Sequence, residues 1–167
     1  MSLLSHTALR VSATALVALA CASSPQNDLA GLARQQRAAG QNALAARSIE
    51  QAVREQPRDV PLRMEAAEIQ MAAGSQGTAI THLEVAQSIH PWDPEISIRL
   101  GDIELSLGRS TAAYVAFRRA VLLAPNDVRA VSGLALAADS LGFDEEAVAA
   151  YERWAELDAA AAERDAP

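Results

Sequence analysis

The chain has 167 residues, of which 50% are apolar and only 4% aromatic, enough for one domain whose core packs small side chains closely. Its formal net charge is −7, and all 14 basic residues are arginine. An acidic chain with scattered arginines has neither the basic patch of a nucleic-acid-binding protein nor the polybasic segment that binds anionic membranes. We therefore expect no nucleic acid among its partners.

An uncharged, mostly apolar run, VSATALVALA, occupies residues 11–20. The run is too short to span a bilayer but has the length of a signal-peptide core, and small residues follow it. The sequence therefore predicts a signal peptide over residues 1–20 and an exported protein. A first helix that happens to be apolar is the alternative interpretation.

Cys21, the single cysteine of the chain, comes directly after this run. One cysteine excludes an intrachain disulfide. Its place resembles that of the lipid-acceptor cysteine of bacterial lipoproteins, which implies lipidation of Cys21 and anchoring at the periplasmic face of the outer membrane. Residues 21–25 would then be a short linker. Ordinary signal peptidase cleavage after Ala18-Leu19-Ala20 also fits, and would leave a soluble periplasmic protein with a free thiol.

The rest of the chain repeats every 34 residues without gaps, in units 26–59, 60–93, 94–127 and 128–161, followed by a tail, 162–167. We number these units 1 to 4. Each unit carries a glycine in the same column: Gly40, Gly74, Gly108, Gly142. Small residues fill other columns, among them Ala33, Ala67, Gly101 and Ala135, then Ala45, Ala79, Ala113 and Ala147, then Ala52, Ala86 and Ala120. Prolines close the first three units: Pro57, Pro91, Pro125.

Within each unit the pattern predicts two helices. In unit 3 an apolar stripe, Ile96, Leu100, Ile103 and Leu107, has helical spacing, with Asp93 as the cap before it and Gly108 as the stop after it. Ser110 or Thr111 is the predicted cap of the second helix. Helices of this length are marginal alone, so the units are expected to stack and bury each other's stripes.

These columns together resemble the tetratricopeptide repeat over residues 26–161. The resemblance implies an all-α fold, a right-handed superhelical stack of four helix-turn-helix units, that is, an α-solenoid. The large aromatic residues frequent in that family's first helix are absent here, and Ala159 replaces the closing proline in unit 4.

The resemblance also implies a concave groove lined by the first helices. Carried onto this chain, the groove residues are Arg34, Arg37, Met64, Glu68, Met71, Ile98, Asp102, Leu105 and Leu136. Methionines adapt to varied partners, so a peptide or an amphipathic helix of another protein is the expected ligand. The alternative is that the apolar members of this set pack internally.

Trp154 stands where the other units have Ala52, Ala86 and Ala120. It lies in the last unit, so it is expected either to cap the apolar end of the stack or to anchor a partner through an exposed aromatic ring.

No catalytic constellation, phosphate loop or metal-ligand spacing stands out. His82 and His90 are predicted to be solvated surface residues, so we expect no metal, no cofactor and no enzymatic activity. An enzyme or metal carrier using His82, His90 and Cys21 is the competing hypothesis.

A signal, a lone cysteine and a repeat array together resemble bacterial pilus-assembly lipoproteins, including those of the Flp/Tad and type IV pilus systems. This resemblance implies a protein–protein interaction scaffold of the cell envelope that assists assembly of a pilus or secretion complex. The alternative is a soluble periplasmic adaptor or chaperone-like protein for another envelope complex.

Overall fold

The computed structural model describes residues 28–164, which form eight α-helices and no strand. The helices are α1 Leu29–Ala38, α2 Asn42–Glu55, α3 Val60–Ala72, α4 Gln76–Ile89, α5 Pro94–Ser106, α6 Ser110–Leu123, α7 Val128–Leu141 and α8 Asp144–Arg164. Each helix packs against its neighbours in the chain, and first helices also meet, α1 with α3 and α5 with α7. The prediction of an all-α stack of four helix pairs is confirmed.

Aspartate starts every first helix. The carboxylates of Asp28, Asp59, Asp93 and Asp127 each accept a hydrogen bond from a backbone N–H of the first turn. The predicted Asp93 cap is therefore confirmed. The cap predicted for α6 is wrong: Ser110 is already helical, and Arg109 precedes it without a side-chain cap hydrogen bond.

The glycine column makes the turn within each unit. Gly40, Gly74, Gly108 and Gly142 have φ values of +73°, +78°, +70° and +70°. A residue with a Cβ atom is strained in this left-handed conformation. In unit 3 the backbone N–H groups of Gly108 and Arg109 donate to the carbonyls of Leu105 and Glu104, both at 2.9 Å, which satisfies the last carbonyls of α5.

The core consists of three clusters, one at each boundary between units. The small columns lie inside them: Ala45, Ala79 and Ala113 are fully buried, as are Ala86 and Ala120. Small side chains let the helix backbones approach closely, as the sequence predicts. The largest fully buried side chain is Phe117, at the boundary between units 3 and 4.

The last helix is longer than the others. Helices α2, α4 and α6 have 14 residues each and end shortly before the closing prolines, whereas α8 has 21 and continues to Arg164. Ala159 occupies the proline column of unit 4, so nothing at that point clashes with the helix. The helix therefore passes the predicted end of the array at residue 161.

The predicted signal peptide, Cys21 and the linker to residue 25 lie outside the described residues. Across residues 28–164, no helix has both the length and the apolar character needed to cross a bilayer.

Candidate functional site: the groove of the first helices

Side-chain hydrogen bonds join each of the first helices α1, α3, α5 and α7 to the next. Hydrogen bonds join side chains 31 residues apart in successive first helices, Arg34 to Glu65, Arg37 to Glu68 and Arg99 to Glu68. The offset equals one repeat less about one helical turn, because neighbouring first helices are shifted by a turn where they face each other. From α1 to α3 and from α3 to α5 a residue's partner across the groove is thus 31 positions away, whereas between α5 and α7 Arg129 pairs with Glu95 over 34 positions.

Ion pairs between the first helices cross the groove at offsets of 31 and 34 residues. Arg34 Nε lies 2.6 Å from Glu65 Oε1, and Arg37 Nη1 lies 3.1 Å from Glu68 Oε2. Arg99 pairs with both Glu68 and Glu95, and Arg129 pairs with Glu95 in turn. We call this set the ion-pair network; its members are Arg34, Arg37, Glu65, Glu68, Glu95, Arg99 and Arg129.

The network keeps its central carboxylates charged. Burial alone would raise the pKa of Glu68, but the hydrogen bonds and charges of Arg99 and Arg37 outweigh it, and the pKa lies below its ordinary value. The hydrogen bond from Arg129 does the same to the pKa of Glu95, against partial burial. Both glutamates are therefore charged and ion-paired with arginines of the same chain.

A pocket of about 350 Å³ opens between α3 and α5. We call it the central pocket. Its apolar wall comes from Ala67, Met71, Ala72, Leu83 and Ile103, and its charged residues are Arg37, Glu68, Arg99 and Asp102. The volume is near the lower end for small-molecule sites and suits one large side chain of a bound segment.

Asp102 differs from the other charged residues of the pocket. Across residues 28–164, no hydrogen bond or ion pair reaches its carboxylate. Although the residue as a whole is exposed, neighbouring atoms displace water from the carboxylate and raise the pKa of Asp102 above its ordinary value. The residues 31 positions before and after it are Met71 and Gly133, and neither can neutralise a carboxylate.

The structure brings four of the sequence-predicted groove residues together in the central pocket, namely Arg37, Glu68, Met71 and Asp102. Arg34 is exposed and paired with Glu65, and Leu136 is exposed on α7. The half-buried Met64 and Leu105 pack against core clusters.

Ile98 is not a groove residue, and its prediction is wrong. It is fully buried in the cluster of units 3 and 4, together with Phe117 and Leu134. An isoleucine side chain gains free energy by leaving water, and at this boundary the helices close over it. The alternative that apolar groove candidates pack internally thus holds for Ile98, and in part for Met64 and Leu105.

Sequence reasoning missed Glu65, Glu95 and Arg99. For Glu65 and Arg99 the signal is a charge of opposite sign 31 residues away, as in Arg34 with Glu65 and Glu68 with Arg99, and for Glu95 it is Arg129, 34 residues away. That signal has meaning only once the shift between neighbouring first helices is known.

The prediction of a solvated His82 is also wrong, whereas His90 is exposed at the end of α4. His82 is 5% exposed, and its Nε2 lies 2.8 Å from Glu50 Oε1, an oxygen that also accepts from Gln70 Nε2 at 2.8 Å. This polar cluster joins α2, α3 and α4. In the part of the chain that the structure describes, no three His, Cys, Asp or Glu side chains are grouped to hold a metal ion.

Trp154 is half-buried on α8. Its ring stacks on that of Tyr151, with centroids 6.3 Å apart and an interplanar angle of 27°. The alanines of the same column in units 1 to 3 are at most 4% exposed. Capping the array and anchoring a partner both stay predictions for this residue.

Comparison with known proteins identifies the repeat. Residues 31–94 and 96–162 match the family model described as tetratricopeptide repeat. No match was found among curated proteins.

Solved structures of MamA share the fold. A crystal structure of MamA is 24% identical, with 75% of this chain and 73% of that chain covered and a TM-score of 0.69. A second crystal structure of MamA protein is 19% identical, with 83% and 76% covered and a TM-score of 0.72. The MamA RS-1 ArsTM double mutant is 22% identical, with 78% and 73% covered and a TM-score of 0.71. At these identities the similarity establishes the fold alone.

Proposed function

The chain belongs to the tetratricopeptide repeat family, and from this premise we propose that it is a non-enzymatic scaffold that binds a segment of another protein in its groove. Arrays of this kind present extended concave surfaces to protein partners. The observation that carries the proposal is the central pocket, where the accessible Met71 and Ala72 and the buried Leu83 and Ile103 form an apolar wall beside charged residues. An amphipathic helix or an apolar peptide meets such a surface with its apolar face.

The ion pairs of Glu68 and Glu95 also favour binding over catalysis at these two residues. Acid–base catalysis needs a titratable group free to exchange a proton with a substrate. Glu68 and Glu95 are instead held charged by Arg99, Arg37 and Arg129. Such paired charges are suited to shaping a surface.

We further propose that the protein acts in the bacterial cell envelope, tethered by a lipid on Cys21 to the periplasmic face of the outer membrane, and assists assembly of a pilus or secretion complex. Support comes from the apolar run 11–20 and the cysteine directly after it. A tether so close to the start of α1 at Leu29 would hold the array near the membrane.

Substitution of Met71 by glutamate tests the groove. A carboxylate in the apolar wall of the central pocket must be desolvated when a partner binds, so Met71→Glu is expected to abolish capture of the envelope partner. Val148→Glu is the matched control, because Val148 is exposed on α8, outside the groove. Capture is measured by affinity purification from envelope extract, with folding checked by circular dichroism. Equal capture by folded Met71→Glu would contradict a role for the groove.

Replacement of Cys21 tests the tether. Metabolic labelling with a fatty-acid analogue is expected to mark the wild-type protein in the membrane fraction and to vanish in Cys21→Ser. Persistent labelling of Cys21→Ser would remove the lipid-acceptor role. An unlabelled wild-type protein in the periplasmic fraction would instead favour the soluble adaptor.

A further inference from the structure

The central pocket has two carboxylates, Glu68 and Asp102, and of these Glu68 is the one with ion pairs. Glu68 faces Arg37 on one side and Arg99 on the other, each 31 residues away. The 31-residue offset places Asp102 between Met71 and Gly133, and the 34-residue offset observed between α5 and α7 places it opposite Leu136. None of these residues carries a positive charge, and the arginines whose charge acts on Asp102, Arg99 and Arg129, are already ion-paired with Glu68 and Glu95. Among the described side chains, Asp102 therefore has no ion-pair partner of its own.

The packing of the core explains why no arginine stands opposite Asp102. Residue 133 corresponds to Arg99 one repeat earlier, but it is a glycine buried against Phe117. A Cβ atom built on Gly133 would lie 2.2 Å from the Phe117 ring, far inside contact distance. An arginine like Arg99 therefore has no room at this boundary while Phe117 is present.

Apolar side chains lie beside Asp102 in the central pocket. Met71, Leu83 and Ile103 line the same pocket. On the neighbouring row of the groove, Leu105 is followed at the 31-residue offset by Leu136, which is 43% exposed. A bound segment thus meets apolar side chains that are flanked by the ion-paired Glu68 on one side and by the unpaired carboxylate of Asp102.

From these observations we infer that the groove selects amphipathic segments that carry a lysine or arginine next to their apolar face, and that the Asp102 carboxylate binds that cation. This inference rests on the proposed function and names the class of partner. A carboxylate on the partner would find no unpaired arginine in the central pocket, because Arg37 and Arg99 are already paired with Glu68. It would have to share these arginines with Glu68 and would bring a like charge next to that carboxylate.

Partial desolvation supports the same assignment. Crowding by the groove raises the pKa of Asp102, so its charged form lacks part of the hydration that it has in water. A cation supplied by a partner would restore the missing interaction. Charge-assisted hydrogen bonds are stronger than neutral ones where water is partly excluded.

A displayed library of amphipathic helical peptides provides the test. Selection on the purified protein is expected to enrich peptides with Lys or Arg at a fixed spacing from the apolar face. The same selection on Asp102→Asn should lose that enrichment. Glu84→Gln is the matched control, because it removes one charge from an exposed acid on α4, outside the central pocket, and should keep the enrichment.

The affinity of one enriched peptide then measures the interaction. Replacing its basic residue by glutamine is expected to weaken binding to the wild type about tenfold, as for loss of one charge-assisted hydrogen bond. On Asp102→Asn the same replacement should change the affinity by less than about twofold.

The outcomes separate the two proposals. Enriched peptides that lose binding on Met71→Glu but show no basic preference, or keep it on Asp102→Asn, overturn the role of Asp102 and leave the groove intact. Failure to enrich any peptide, or binding that survives Met71→Glu, overturns the groove itself.

Discussion

The boundary between units 2 and 3 and the boundary between units 3 and 4 follow one plan with different residues. At the first, Leu83 fills the core, Ala67 makes room for it, and Arg99 reaches into the groove. At the second, the residues 34 positions later are Phe117, Gly101 and Gly133. Where the core side chain is Phe117 and not Leu83, glycines occupy the positions of Ala67 and Arg99.

This difference shows how the core sets the charge of the groove. Cβ atoms on Gly101 and Gly133 would lie 2.7 Å and 2.2 Å from the Phe117 ring. With glycine required at 133, Asp102 forms no ion pair with any side chain that the structure describes, whereas Glu68 pairs with two arginines. The size of the core side chain at each boundary thus determines which carboxylate of the groove has no ion pair and can bind a ligand.

Truncation of Phe117 is expected to have the largest effect on stability among the substitutions at the two boundaries. Phe117→Ala is expected to lower the free energy of unfolding by about 3–5 kcal/mol, because a fully buried ring leaves a cavity between two helices. Urea denaturation followed by circular dichroism measures the loss. Leu122→Ala on the same helix is the control, since Leu122 is 77% exposed and its truncation should cost almost nothing. Equal effects of the two substitutions would contradict the assigned core.

Filling the space opposite the ring should have the next largest effect. Gly133→Ala is expected to destabilise by about 1–3 kcal/mol through overpacking, although alanine normally favours a helix interior. Adding Phe117→Leu should reduce that cost, because it restores the smaller core residue of the other boundary. The cost is read from a double-mutant cycle of unfolding free energies.

Gly77→Ala on α4 is the matched control for this substitution. A Cβ atom there meets nothing within 4 Å, so no loss of stability is expected. Strict additivity of Gly133→Ala and Phe117→Leu would show that the ring and the glycine are not coupled.

The smallest expected difference is electrostatic and depends on pH. The pKa of Glu68 is lowered, so its charge stabilises the fold above the unfolded-state pKa, and that contribution is lost as pH falls through the folded-state value. The pKa of Asp102 is raised, so its charge costs stability at neutral pH, and the cost disappears as pH falls below the ordinary value.

Glu68→Gln should therefore destabilise at neutral pH and Asp102→Asn should not, with the difference shrinking in acid. Both groups are partly solvated, so each effect amounts to roughly a few tenths of a kcal/mol. Thermal unfolding of both variants against pH measures it. A greater loss for Asp102→Asn at neutral pH would reverse the assignment.

The sequence was sufficient for features that recur in every unit. The left-handed turn at Gly108 and the close contact at Ala120 belong to columns repeated along the chain, so chance is a poor explanation of them. The start of α5 at Asp93 follows from local capping chemistry alone. Such features need no knowledge of how one unit sits on the next.

Features that depend on contacts between units were harder to predict. Position within a helix gives the direction of a side chain only approximately, so Ile98 was assigned to the groove although α5 buries it. The burial of His82 depends on Glu50 and Gln70, which lie on two other helices. The unpaired state of Asp102 depends on Phe117, which sequence patterns place only in the core.

The 31-residue offset also means that the units cannot be shuffled. If unit 2 were duplicated in place, Glu68 of the first copy would face Glu65 of the second, where Arg99 now stands. Two carboxylates would then oppose each other across the groove, at a cost in stability. Although the backbone repeats with a single period, the charges therefore encode the order in which the units follow one another.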